Sequence, residues 1–171
     1  MKLHLLLADY DGKSVAILQS FQAAHPPDDA ILAEAVDLVA SADPGTSNGA
    51  GWLLRSYLAD GANLSGDLTD RLADRLADIP SGMPRLHVCQ AMAWIPIQPR
   101  HTAVFADFLR ECIGSPRPFV RAWAIDGLWR LALLHAEFRA EAIHQIEQGM
   151  SDTAASVRAR CRRIAEEIDR G

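Results

Sequence analysis

Residues 115–135 read SPRPFVRAWAIDGLWRLALLH, a proline-bearing turn running into a stretch with two tryptophans, an aspartate and three arginines. On a helix of about 100° per residue, Val120, Ala124, Gly127, Leu128 and Leu131 share one arc, while Trp123, Ile125 and Trp129 project from other arcs. A helix that is apolar nearly all round is buried between neighbours. The stretch is therefore expected to be an interior helix, with its tryptophans serving as core.

Shifted by 37 residues, FVRAWAIDGLWRLA (119–132) lies over SVRARCRRIAEEID (156–169). Val120 meets Val157, Arg121 meets Arg158, Ala124 meets Cys161 and Leu131 meets Ile168. The later copy replaces Trp123 with Arg160, Ile125 with Arg162 and Trp129 with Glu166, so it is expected to have neighbours on fewer sides. Arg160, Arg162, Arg163 and Glu166 then form the polar face that closes a stack of repeats. Shifted back by 34 residues, the stretch lies over RLHVCQAMAWIPIQ (85–98), with Leu86 for Val120, Trp94 for Leu128 and Ile97 for Leu131. In that copy Gln90 falls on a core position, and Pro96 is expected to stop the helix near Ile95. GAGWLLRSYLADG (49–61) is a fainter fourth copy.

Breakers recur along the rest of the chain: HPPDD (25–29), SADPGTSNG (41–49), DGANLSGD (60–67), IPSGMP (79–84), IPIQPRH (95–101), GSPRP (114–118) and GMSD (149–152). Between them, apolar positions recur at three-and-four spacing and nowhere alternate with period two, which predicts about nine helices and no sheet. In LTDRLADRLADI, Leu68, Leu72, Leu76 and Ile79 form one stripe with acids and bases laced opposite; in TAVFADFLRECI, Phe105, Leu109, Cys112 and Ile113 do the same.

A Pro- or Asp-containing turn followed by V-R-x-x-A/C at the head of a second helix resembles HEAT-like, armadillo-type repeats. The segment D-x-x-x-x-V-R-x-R-C at 152–161 is the best instance. The resemblance implies an all-α, right-handed α-solenoid of about four helix pairs over residues 28–171, in one domain, with an irregular segment 1–27 supplying a capping helix. It also implies that Arg121 and Arg158 tie each turn to the next, with His87 in the matching place. Solenoids of this kind bind partners on a concave face lined by second helices. The expected function is a non-catalytic protein-binding scaffold, contacted through Arg55, Tyr57, His87, Gln90, Arg121, Asp126 and Arg130. Some HEAT-like proteins are glycosylases for alkylated bases, and Trp123, Asp126, Trp129 and Arg130 resemble their tryptophan-aspartate-base set. This is the alternative reading.

Composition narrows the partners. The chain of 171 residues carries net charge −5, which disfavours a dedicated nucleic-acid binder. Charge is uneven: residues 1–80 hold 5 Lys/Arg against 12 Asp/Glu, and residues 81–171 hold 12 against 10. Asp126 and Arg130 stand at i,i+4 and are expected to pair. Cys89, Cys112 and Cys161 lack C-x-x-C spacing and lie in apolar patterns, as reduced thiols of a cytoplasmic protein do. No metal or cofactor is expected: Glu141 and His144 are a lone pair, and no phosphate loop, G-x-S-x-G or H-E-x-x-H occurs. The run Leu3 to Ala8 is too short for a secretory or spanning segment and apolar enough to suggest a homodimer contact. Arginine and alanine replace lysine, present only as Lys2 and Lys13, which suits a GC-rich bacterial source.

Overall fold

Each apolar stripe in the sequence becomes a helix. The computed structural model describes residues 2–170, and among them the regular structure is ten α-helices and three single 3-10 turns, with no strand. The chain clusters into two compact units, divided between Pro96 and Ile97.

The first unit holds α1 (Leu3–Ala8), α2 (Val15–Ala24), α3 (Asp29–Leu38), α4 (Pro44–Ala59), α5 (Gly66–Arg75) and α6 (Met83–Ala91). Short polar side chains start three of them: Asp28 accepts from Ile31 N at 2.7 Å, Asp43 from Thr46 N at 2.7 Å, and Ser65 from Leu68 N at 3.3 Å. These bonds satisfy first-turn N–H groups that a helix leaves unpaired, and each contributes about 1 kcal/mol. α3 packs on α4 and α5, and α4 packs on α6. The stripe Leu68, Leu72, Leu76 and Ile79 is buried, as its spacing predicts.

Two expectations are corrected here. SADPGTSNG is not a loop, because its last six residues open α4. Asp43 caps the helix and Pro44 occupies its first turn, where a missing N–H costs nothing. Packing then overrides the poor helix propensity of glycine: a Cβ on Gly49 would stand 2.5 Å from Leu7 Cδ2 and 3.0 Å from the Tyr10 ring. Residues before α3 are likewise not irregular with one capping helix, since α1 and α2 both form. Leu3 and Leu7 of α1 are buried, and α1 packs on α3 and α4, so the chain itself covers half of the run that looked bare; Leu5 stays 56% exposed. Glu34 fixes the start of α1 by accepting from Leu3 N at 2.9 Å, His4 N at 3.2 Å and the His4 ring.

The second unit holds α7 (Thr102–Ile113), α8 (Pro118–Leu134), α9 (Arg139–Gly149) and α10 (Ala155–Arg170). α8 packs against α7, α9 and α10, which explains a helix apolar on all sides. Val120, Ala124, Leu128, Leu131, Ile125 and Trp129 are all buried. Its counterpart α10 buries Val157, Cys161 and Ile164 and exposes Arg162, Arg163 and Glu166, but Arg160, expected on the same polar face, is half-buried against Trp123 and Asp126. The copy at 85–98 departs from expectation: α6 ends at Ala91, before Pro96 can act, and Trp94 is 43% exposed where a core residue was expected. Among the described residues no helix is long and apolar enough to cross a membrane.

Candidate functional site

In the first unit α4 and α6 lie side by side and, with the loop before α2, enclose an open groove of about 390 Å³. Asn48, Trp52 and Arg55 stand at i, i+4 and i+7 on α4, and Met83, Leu86, His87 and Gln90 follow the same spacing on α6. That spacing puts each set on one helical face. Gly51 lets the two helices close together, since a Cβ there would lie 3.3 Å from His87 Cβ. Lys13 and Val15 form the exposed rim. Three of the seven candidate residues, Arg55, His87 and Gln90, are thereby brought together.

His87 is 6% exposed. Asn48 donates from Nδ2 to Gly12 O at 3.0 Å, which turns its Oδ1 toward His87 Nε2 at 3.1 Å. The ring proton therefore sits on Nε2, the nitrogen with the shorter contact, and the unprotonated Nδ1 takes no hydrogen bond from Gln90 Oε1, 3.4 Å away. Burial, assisted by the charge of Arg55, pushes the His87 pKa down to about 4, so the ring is neutral near pH 7. Arg55 is in a different condition. Its guanidinium lies 5.5 Å from the centroid of the Trp52 ring, and its buried Nε has no hydrogen-bond partner. Burial pulls its pKa down, opposed by the more distant Asp60, which itself accepts from Gln22 Nε2 at 2.6 Å. No carboxylate lines the groove.

The other four candidates hold the fold. Tyr57 is 1% exposed, and its hydroxyl donates to His25 O at 2.8 Å. Burial, with Asp28 adding to it, pushes its pKa up to about 12. Neither Tyr57 nor Asp126, which is 5% exposed, offers surface to a partner. In the second unit Arg121 forks onto Asp152, Nε to Oδ2 at 3.1 Å and Nη2 to Oδ1 at 2.9 Å, and donates from Nη1 to Ser115 O at 2.9 Å. Arg158 donates to the carbonyls of Asp152 and Thr153 at 2.7 and 2.8 Å. Arg130 bonds Asp126 at 3.1 Å and forks onto Glu167 at 2.6 and 2.7 Å, while Arg160 reaches the other oxygen of Asp126 at 3.4 Å. The guanidinium of Arg160 also lies 3.6 Å from the centroid of Trp123. Of the tryptophan-aspartate-base set, Trp129 and Asp126 are buried and Arg130 is paired, while Trp123 is half-buried and lines an open pocket with Phe119, Arg160 and Arg163.

The geometry thus separates Arg121 and Arg130, which fork onto carboxylates, from Arg55, whose buried Nε has no hydrogen-bond partner. No family model, curated protein or solved structure matches this chain. Function is therefore read from the groove itself. Among the described residues no three His, Cys, Asp or Glu side chains stand close enough to hold a metal ion. The groove offers a guanidinium, an ammonium at the rim, two amides and apolar walls, a set suited to holding an anion with an apolar stem. Sequence reasoning missed Asn48, Trp52 and Lys13. The signal that could have found the first two is i, i+4 and i+7 spacing with Arg55, which reading 41–49 as a breaker hid for Asn48.

Proposed function

We propose that the chain is a HEAT-like helical-repeat protein of the cytoplasm that acts as a non-catalytic binding module for another protein, which it holds in the groove along α4 and α6. The repeat reading is supported by the spacing of side-chain ties between successive helix pairs. Arg71 to Asp37, Arg110 to Glu141, Arg121 to Asp152, Arg130 to Glu167 and Asn48 to His87 span 34, 31, 31, 37 and 39 residues, close to one repeat each. The cytoplasmic reading is supported by three buried cysteines, none in a disulfide.

The observation that carries the binding reading is Arg55, a partly desolvated cation without a carboxylate partner, on a second helix and facing a groove. A group left in that condition costs stability in the free protein, which favours a role realised on binding. The experiment is a crosslinked pull-down from the source lysate with wild type, Arg55→Gln and Gln90→Ala, read by mass spectrometry. A species retained by wild type and lost from both variants is the expected result. Retention identical in all three removes the groove as the binding surface.

A further inference from the structure

We propose that the groove recognises one carboxylate, the side chain of a glutamate or aspartate in an extended segment of the partner, seated on the guanidinium of Arg55. This rests on the protein-binding reading and gives it a chemical address. Arg71, Arg110, Arg121, Arg130 and Arg160 each form an ion pair with a carboxylate of this chain, whereas Arg55 lies 5.5 Å from the centroid of Trp52 and feels Asp60 only at longer range. Its Nε is buried and unpaired, and only Arg55 and Asp37 carry such an orphaned side-chain atom among the described residues. A planar carboxylate matches the guanidinium fork, and Arg55 lines the groove from which such a group would approach.

The surroundings narrow the ligand further. Gln90 supplies an amide beside the site, and Lys13 a second positive charge at the rim. His87, with Nε2 given to Asn48, adds no charge. Trp52, Leu86 and the 43%-exposed Met83 form apolar walls that suit a methylene stem and its neighbours. The groove itself holds one cationic charge, that of Arg55, while Lys13 lies at the solvated and screened rim, which matches the single charge of a carboxylate. Residues 1–80 carry 5 Lys/Arg against 12 Asp/Glu, and that excess repels a run of acids. The geometry therefore selects an isolated acidic residue with apolar neighbours.

The test uses the full chain, isotopically labelled, titrated by NMR with the capped peptide Ac-Leu-Glu-Leu-NH2, its Gln counterpart, and free 4-methylvalerate. The Glu peptide is expected to shift the Trp52 indole and the Asn48 and Gln90 amide signals saturably, and the Gln peptide to bind at least about tenfold more weakly. Arg55→Gln is expected to lose at least about tenfold, and Lys13→Gln, an exposed position, about two- to threefold. Thermal melts of both variants should show no loss of stability. Equal binding of the Glu and Gln peptides, an Arg55→Gln variant that binds like wild type, or no shift at all overturns the proposal. Tighter binding of 4-methylvalerate than of the Glu peptide overturns the peptide source. A partner whose capture ignores Arg55→Gln but is lost from Gln90→Ala leaves the groove as the binding surface without this inference, and Glu-selective peptide binding without any captured partner does the reverse.

Discussion

Asp152 holds three ties at once, which makes its removal the sharpest probe of how the second unit is joined. Its carboxylate receives the fork of Arg121 at 2.9 and 3.1 Å, its Oδ1 also accepts from Ala154 N at 2.8 Å, and its own carbonyl accepts from Arg158. Asp152→Ala deletes the first two and leaves the third. The turn bond alone is comparable to a helix cap, about 1 kcal/mol. The ion pair is partly wet, with each side chain 19% exposed, and Arg121 keeps Ser115 O as a partner. The 3–5 kcal/mol typical of stranding a buried charge is therefore too large, and about 1–2 kcal/mol is appropriate. Asp152→Ala should cost about 2–3 kcal/mol, and Asp152→Asn, which can still accept from Ala154 N, about 1–2 kcal/mol. Urea unfolding followed by far-UV circular dichroism reads both. An Ala variant within about 0.5 kcal/mol of wild type, or an Asn variant as unstable as Ala, refutes the assignment. The hydrogen bond from Arg121 holds the Asp152 pKa below the ordinary carboxylate value. The pair's contribution is accordingly complete above the unfolded-state pKa and lost as pH falls through the folded one.

His87 behaves in the opposite chemical sense but with the same slope: its folded pKa of about 4 lies below the ordinary 6.5, so the unfolded chain takes up the proton first as pH falls. Stability should decline between those values by about 3 kcal/mol, and His87→Gln should remove that part of the slope in urea midpoints taken near pH 7 and near pH 4. Arg55→Met, which removes the unpaired buried Nε at the expense of the contact with Trp52, should raise the stability of the free protein by about 0.5–1 kcal/mol; a lower melting temperature counts against the account of the groove. Gly49→Ala should lower stability by about 1–3 kcal/mol despite alanine's better helix propensity, because Leu7 and Tyr10 occupy the space, and a stabilised variant in the same urea assay refutes the close packing of α1 on α4.

Helices were legible wherever one face is apolar and the other charged, because that pattern reports burial directly. The stripe from Leu68 to Ile79 and the arc from Val120 to Leu131 needed no tertiary information. The start of α4 was illegible for the opposite reason. Pro44, Gly45, Thr46, Ser47, Asn48 and Gly49 have loop chemistry taken singly, and they are helical because neighbours bury the small face they create. Trp94 shows the limit of repeat alignment: it occupies the position of Leu128, but its helix has already ended at Ala91. Propensity and period are local quantities, and each of these residues is decided by contacts with other helices.

The candidate residues divide by a property no local pattern encodes. All seven were chosen as polar or aromatic residues of helices expected to be second in a pair, yet what distinguishes Arg55 from Arg121 and Arg130 is whether an acid of a distant helix stands against it. Asp152 lies 31 residues after Arg121, and Glu167 lies 37 after Arg130. Arg55 instead ends with the Trp52 ring beneath it and a neutral imidazole beside it. Helix packing brings positions 31 to 37 residues apart together in these two cases, and the acid found at that offset ties the arginine into the fold. Arg55 has no such acid in an ion pair, and its buried Nε stays without a partner. On this argument the absence of an acid opposite Arg55 is the feature to perturb. A carboxylate supplied from within by Gln90→Glu should pair with Arg55, raise stability and abolish binding of the Glu peptide. A Gln90→Glu variant that still binds the Glu peptide like wild type would show that Arg55 is not the receptor.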